Sequence, residues 1–282
     1  MNKGICFHFG YLYKDIEQQV KDIKESGLNC VICTAEPKFN KENGTIKKQI
    51  KLFKKYGLML SSLHMRYNRE DLENFWLNNR IGKKVMKNLI KDVKVAHKYG
   101  FKSVVVHMVG NISEIGKQRL SKVLFCCEKL NIPLALENLN KNNQLLDDIY
   151  SSINSEYLKF CYDAGHAHCF EPNIDHLTKY QNKVIALHLH DNLGNNVPNE
   201  HYDKIGYLGK NPDMHTLNKY GNINWEELAK KIAKVPNELN LDYEVMMSYR
   251  KDETPKEVLK EVYNQACELE KYIAKYKMCT NQ

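Results

Sequence analysis

No apolar run in the chain approaches ~18 residues, so a membrane-spanning helix is excluded. No G-x-G-x-x-G follows the first apolar run, which continues as FHFGYLYKD, so the glycine-rich phosphate turn of a doubly wound dinucleotide fold is missing. No linker, low-complexity tract or close internal repeat divides the 282 residues. A disulfide framework is not indicated: the nine cysteines are odd in number, irregularly spaced and preceded by no signal peptide, since MNKGICFHFG enters folded-type sequence at once. A cytoplasmic, reduced, globular protein with no membrane partner is therefore expected. Acidic residues are the scarcer charge, 34 against 42 Lys and Arg. The resulting +8 favours anionic partners, for which sugar phosphates and nucleic acid both qualify.

What is present is an alternation. Hydrophobic residues make up 43% of the chain, too many for disorder. Short runs rich in Val, Ile, Leu, Phe or Cys occupy 4–9, 29–34, 58–64, 103–107, 133–137, 158–163, 184–190 and 241–245, as expected of strands buried on both faces. Between them lie stretches with helical spacing. Residues 15–26 place Ile16, Val20 and Ile23 on one face and stop at Gly27; residues 80–99 do so with Ile81, Val85, Leu89, Val93 and Ala96 and stop at Gly100. Residues 45–56 and 113–130 behave alike, and 255–276 opens with Pro255. Eight strand–helix cycles of roughly 32 residues match a (β/α)8 TIM barrel of ~250 residues. A single-domain α/β barrel over 1–282 is expected. Two connections exceed the usual ~2–6 residues. They are 66–79 after the third strand and 191–222 after the seventh, at the end where barrel enzymes keep binding loops.

The same strand ends carry an unusual set of side chains. His64 closes the third run, His107 the fourth, Glu137 the fifth and Asp163 the sixth, with His166 one turn later. His188 lies in the seventh run and Glu244 in the eighth, and Asp213 and His215 follow the seventh. A lone His closing a strand is ordinarily a hydrogen-bonded structural residue. Six strands delivering a His, Asp or Glu to one rim are different, because buried carboxylates and imidazoles without a cation carry an uncompensated desolvation cost. A divalent ion removes that cost, and mixed His and carboxylate donors suit Zn²⁺ or Mn²⁺ better than Mg²⁺ or Ca²⁺.

Taken together, E-N-L at Glu137, D-A-G-H-A at Asp163, H-L-H-D-N at His188, D-M-H at Asp213, G-N-I-N-W at Gly221 and the acid Glu244 resemble the xylose isomerase-like barrel superfamily. That group holds sugar-phosphate isomerases and epimerases and also endonuclease IV, the apurinic-site nuclease. The resemblance runs along essentially the whole chain and implies a TIM barrel with one to three metal ions at its C-terminal face. By resemblance to the isomerases and epimerases, Glu137, Asp163, His188 and Glu244 would hold one catalytic ion, and His166 would reach a substrate oxygen or a further metal. By resemblance to endonuclease IV, His64, His107 and Glu137 would hold a first zinc. Glu137 would bridge to a second, held also by Asp163, His188 and Glu244, and His166, Asp213 and His215 would hold a third. Departures from the nuclease pattern favour the isomerase branch. The Gly-rich stretch after the strand-five Glu reads ENLNKNNQ here, and His190 stands where the nucleases tend to have Asn. The Arg that marks ketose 3-epimerases, six residues after the strand-seven His, is Gly194, which argues against a strict tagatose- or psicose-type enzyme.

The first expectation is proton-transfer isomerisation or epimerisation of a small sugar or sugar phosphate through an enediolate whose charge the ion stabilises. Glu137 and Glu244 would remove and return the proton. The expected substrate contacts are His8, Tyr67, His166 and Trp76, the last roofing the pocket. The alternative is zinc-dependent hydrolysis of a DNA phosphodiester at an abasic site, with Arg66, Arg69 and Lys38 near the rim and Tyr67 filling the gap. Nucleic acid is the less favoured partner, since Lys47, Lys48, Lys51, Lys54 and Lys55 crowd one outer helix. A metal-retaining barrel with a binding or regulatory role is the third class. Cys30 and Cys33 face opposite sides of a strand and read as packing. His190 is expected to turn outward from His188, and Asp191 to orient a ligand His.

Overall fold

A computed structural model describes residues 1–8, 12–37, 40–209, 211–246 and 253–280. Eight strands, β1 (Lys3–Cys6), β2 (Cys30–Thr34), β3 (Met59–His64), β4 (Ser103–Val106), β5 (Leu134–Glu137), β6 (Leu158–Asp163), β7 (Val184–His188) and β8 (Leu241–Tyr243), form one sheet in the order β7-β6-β5-β4-β3-β2-β1-β8. Every pairing between neighbours in that order is parallel. Leu189 closes the ring against β8: its N–H donates to Asp242 O at 2.9 Å, and its carbonyl accepts from Glu244 N at 3.0 Å. Closure leaves no open sheet edge.

One principal helix follows each strand: α1 (Ile16–Ser26), α2 (Ile46–Tyr56), α3 (Arg80–Tyr99), α4 (Glu114–Leu130), α5 (Asn143–Ser152), α6 (Ala164–Phe170), α7 (Trp225–Ile232) and α8 (Pro255–Thr280). Their ends are written locally. Asn79 caps α3 by accepting from Gly82 N, and Gly100, at φ 84°, takes the left-handed turn that ends it. Outward strand residues such as Val104, Val106, Leu134 and Leu136 pack against Val93, Leu120 and Leu146 in the main core. Inside the barrel, Val105, Ala135, Cys161 and Ala186 form a layer of their own. Two residues further along the same strands stand His107, Glu137, Asp163 and His188. The strand period of two therefore lifts the metal-capable side chains into the next inward layer, at the barrel mouth.

Several strands stop short of their apolar runs, because a ladder reaches only as far as its neighbour. β8 ends at Tyr243, which pairs with Ile5 near the end of β1; β4 ends at Val106 and β7 at His188. Phe9, expected within the first strand, and Lys38, expected at the rim, lie outside the described residues. Among the described residues no helix is long and apolar enough to cross a membrane.

Both long connections fold. The one after β3 holds a short helix, Arg69–Glu73, and a 3-10 turn, Asn74–Trp76. Arg119 of α4 secures it, donating to Phe75 O and to Leu77 O, each at 2.6 Å. Trp76 does not roof the pocket, which corrects the expectation from sequence. It is 2% exposed, donates from Nε1 to Val109 O at 2.9 Å, and lies on Gly116, where a Cβ would come within 2.0 Å of its ring. The connection after β7 carries a helix, Asn199–Lys204, over a small cluster of Tyr202, Tyr207 and Met214. Asp191 ties its ends together instead of orienting a histidine. Its carboxylate accepts from Asn192 N, Asn222 N and Ile223 N, and from Trp225 Nε1 at 2.6 Å.

Candidate metal centre

All nine donors expected from the sequence meet at the mouth. Glu137 is the hub. Its Oε2 lies 3.4 Å from His64 Nε2, 3.3 Å from His107 Nε2 and 3.2 Å from His188 Nδ1, while Oε1 lies 3.3 Å from His166 Nδ1. His188 Nδ1 is also 3.4 Å from Glu244 Oε1. A second focus forms around Asp213, 3.5 Å from His166 Nε2 and 3.2 Å from His215 Nε2. One donor atom from each member converges within 4.8 Å in the groups His64–His107–Glu137, Glu137–Asp163–His188–Glu244, and His166–His190–Asp213–His215.

Local hydrogen bonds aim these side chains. His64 Nδ1 faces Met65 O at 2.8 Å, and His215 Nδ1 faces Glu244 O at 2.8 Å, so each can donate there and turn a bare Nε2 inward. The Asn138 side chain donates to Asp163 O at 2.9 Å and accepts from Asp163 N at 2.8 Å, clamping β5 to β6. Asn142 donates to Glu137 O at 2.9 Å. Asp163 caps α6 by accepting from His166 N at 2.6 Å, leaving Oδ2 for the site. His215 holds a left-handed backbone, φ 47°, uncommon for a non-glycine residue and placed here at a donor.

Electrostatics separates the acids from an ordinary buried set. Burial pushes the Glu137 carboxyl up, but His188, His107 and His166 outweigh it and hold it well below the usual range. The same contest leaves Asp163 lowered, through His166 and His190, and Glu244 lowered, through His188. Burial works against the charged imidazole of His188, yet Cys161, Glu244 and Glu137 raise it well above normal. For His215, Asp213 overcomes burial and brings the value to about 9. The hydrogen bonding is incomplete, however. Both Glu137 oxygens, Asp163 Oδ2, both His188 ring nitrogens and Asp213 Oδ1 are buried with no hydrogen-bond partner. Buried polar groups are rarely left so. Buried lone pairs converging on common centres are the donor arrangement of a cation site, so the residues fit a divalent metal.

All the donors but Asp163 and His188 line a pocket of about 230 Å³, together with Cys6, His8, Thr34, Tyr67 and Met246. His8 and Tyr67 thus lie where the sequence placed them, Tyr67 with its ring 5.1 Å from that of His64. Burial lowers His8 to about 4, so it stands there neutral. A second groove of about 270 Å³, lined by His168, Asp175 and Lys231 among others, runs along α6 and α7 and includes none of the nine donors. Of the rim cations, Arg66 is paired with Asp92 at 3.1 Å and Arg69 with Glu73 at 3.3 Å.

His190 corrects a second expectation. It does not turn outward: it is fully buried, with Nε2 3.1 Å from Asp163 Oδ1 and its ring stacked 3.8 Å from that of His215. The signal was in H-L-H, since residues two apart on a strand share a face. Cys161 is a further residue not anticipated, grouped with Glu137 and His188.

Residues 20–264 match the family described as xylose isomerase-like TIM barrel. A D-tagatose 3-epimerase-like protein is similar in structure, with TM-score 0.70, 19% identity and coverage of 99% of this chain and 100% of that one. An L-ribulose 3-epimerase aligns with TM-score 0.70 at 15% identity over 99% and 98% of the two chains. The IOLI protein, solved with a binding zinc atom, aligns with TM-score 0.68 at 15% identity over 98% and 99%. At these identities the likeness is one of fold. An uncharacterized protein, y4fM of Sinorhizobium fredii, is 28% identical over 127 residues, which cover 43% of this chain and only 36% of that relative's length.

Proposed function

The chain belongs to the xylose isomerase-like TIM barrel family, and we propose that it is a divalent-metal-dependent isomerase or epimerase of a small sugar or sugar phosphate that works by proton transfer. One observation carries the proposal: two buried carboxylates, Glu137 and Glu244, flank His188 Nδ1 at 3.2 and 3.4 Å on the wall of a small pocket. At about 230 Å³ that pocket falls below the ~300–1,000 Å³ of drug-sized ligand sites. Glu137, Asp163, His188 and Glu244 would hold the ion, and their mixed donors suit Zn²⁺ or Mn²⁺. The ion would supply Lewis acidity toward a carbonyl and its neighbouring hydroxyl, making the C–H between them acidic. Glu137 and Glu244 are kept ionised by their imidazole neighbours, the form in which a carboxylate can act as a base. Tyr67, His8 and His166 line the space a sugar would fill. Among the described residues, the two rim arginines expected to meet a DNA backbone are instead engaged with acids, Arg66 with Asp92 and Arg69 with Glu73.

The test is turnover of a panel of ketoses and aldoses, free and phosphorylated, by protein loaded with Zn²⁺ or Mn²⁺. Interconversion of at least one sugar is expected, lost in Glu137→Gln and Glu244→Gln. Full metal occupancy with no turnover on any of them would overturn the proposal. A second reading, phosphodiester hydrolysis at an abasic site, is favoured by the donor groups His64–His107–Glu137 and His166–His190–Asp213–His215, which give room for further ions. Incision of an abasic duplex, abolished by Glu137→Ala, would establish it in place of the first.

A further inference from the structure

We infer that His190 is a fourth donor that closes a zinc site with His166, Asp213 and His215, distinct from the open group around Glu137. The inference rests on the metal dependence proposed above but not on the sugar chemistry. Resemblance to the nucleases supplies three of these donors and leaves one position free. In this chain the imidazole of His190 stands beside them, with Nε2 3.9 Å from the same Asp213 Oδ1 that lies 3.2 Å from His215 Nε2.

Four features separate His190 from a packed core histidine. It is completely buried, and neither ring nitrogen has a hydrogen-bond partner. Leaving both unsatisfied is costly unless something else binds them. Its Nε2 approaches Asp163 Oδ1 at 3.1 Å without the alignment of a hydrogen bond. Gly165 of α6 provides its seat, since a Cβ there would come within 1.9 Å of the His190 ring. Glycine inside a helix weakens it, so the helix gives up stability to admit this ring. Finally, two partners are held by their far nitrogens: His166 Nδ1 faces Asn138 O at 3.0 Å and His215 Nδ1 faces Glu244 O at 2.8 Å, leaving their Nε2 atoms for Asp213 and an ion, toward which His190, stacked on His215, has to turn its ring.

Three imidazoles and one carboxylate fill the tetrahedral coordination of zinc. A zinc so enclosed has no position for substrate or water and acts structurally, whereas three protein donors would leave it open for catalysis. The donors come from three places, α6 (His166), the segment just past β7 (His190) and the long connection (Asp213, His215). The closed ion would therefore fasten that connection to the barrel wall beside the pocket. His190 is what distinguishes this fastening from a third catalytic ion.

The experiment uses the full chain, stripped and reloaded with Co²⁺ for visible spectroscopy, and in parallel the zinc-loaded protein dialysed against a mild chelator and counted by mass spectrometry. Wild type should show the intense visible absorption of tetrahedral cobalt and keep one zinc per chain. His190→Asn should lose both the band and the retained zinc. Gly165→Ala, which displaces the ring, should do the same. His190→Cys returns a donor to the same place, so the band should reappear with thiolate-to-cobalt charge transfer, a signature that no packing role produces. Circular dichroism identifies any variant that fails to fold, and the remaining ones decide the matter. An unchanged band and unchanged zinc retention in folded His190→Asn would overturn the inference. Absent sugar turnover with the band intact would sink only the isomerase proposal, and wild type that binds no metal would sink both.

Discussion

Asp242 and Glu244 lie two residues apart along one strand and its continuation, and the barrel treats them in opposite ways. Asp242, deeper in the barrel, is 2% exposed and saturated: it accepts from the Ser61 hydroxyl and, at 3.4 Å, from the Cys30 thiol. Burial pushes its carboxyl up to about 6, so it holds a proton more tightly than a free carboxyl does. At the mouth the carboxyls of Glu137, Asp163 and Glu244 are held below their normal range despite burial. Glu137 has no hydrogen bond to either oxygen. The floor meets a buried acid with hydrogen bonds and a raised proton affinity, whereas the mouth holds its acids below their normal range and leaves their lone pairs pointing at common centres. Burial is nearly equal in the two places, so burial alone does not mark a site. Unsatisfied, ionised convergence does.

Four substitutions can break or sharpen this contrast. The largest effect is expected from Glu137→Gln, which should remove bound metal and lower kcat/KM by at least about 10³-fold, about 4 kcal/mol of transition-state stabilisation. Asp242→Asn should leave metal content and turnover intact; equal losses in both variants would erase the distinction between the layers. The pH dependence of stability comes next. Because the folded-state value of Asp242 is about 6 against an ordinary 3.8, the folded protein keeps a proton that the unfolded chain releases. Stability attached to that proton is fully present below about pH 4 and is lost as pH rises through about 6, by up to about 3 kcal/mol. Urea titrations should therefore find Asp242→Asn gaining on wild type across that window, and parallel curves would contradict the assignment.

Asp191 tests the rule within the mouth itself. It is a buried acid there, but saturated by four donors, so it should behave like the floor. Asp191→Ala should cost about 2 kcal/mol of stability and leave zinc content unchanged, and loss of zinc would make it part of the centre. The smallest effect on the site belongs to Trp76→Phe. Losing the hydrogen bond to Val109 O and part of a buried ring should cost about 2 kcal/mol, but with zinc content and KM for any substrate unmoved because the indole lies outside the pocket. A raised KM would return Trp76 to the pocket wall.

The barrel was legible because alternation and helix stops are local, as at 80–99 with Asn79 before it and Gly100 after. The donor rim was legible because strand ends share one face of the fold. Asp191 was not, since its partners at Asn222, Ile223 and Trp225 lie some thirty residues on and meet it only when the long connection folds back. Trp76 was misplaced because the surface that receives it, at Gly110 and Gly116, belongs to a segment distant in sequence. His190 is the instructive case: the period of two already placed it beside His188, and only its burial against Gly165 and Asp163 makes that placement unmistakable.

The central claim is that the mouth, and not the floor, is built for a cation. Anomalous X-ray diffraction at the zinc absorption edge, on crystals grown with zinc, tests it most directly. A strong peak is expected within coordination distance of Glu137, Asp163, His188 and Glu244, with none beside Asp242, Ser61 and Cys30. A mouth that stays empty at saturating zinc, or a peak at the floor in its place, would contradict it.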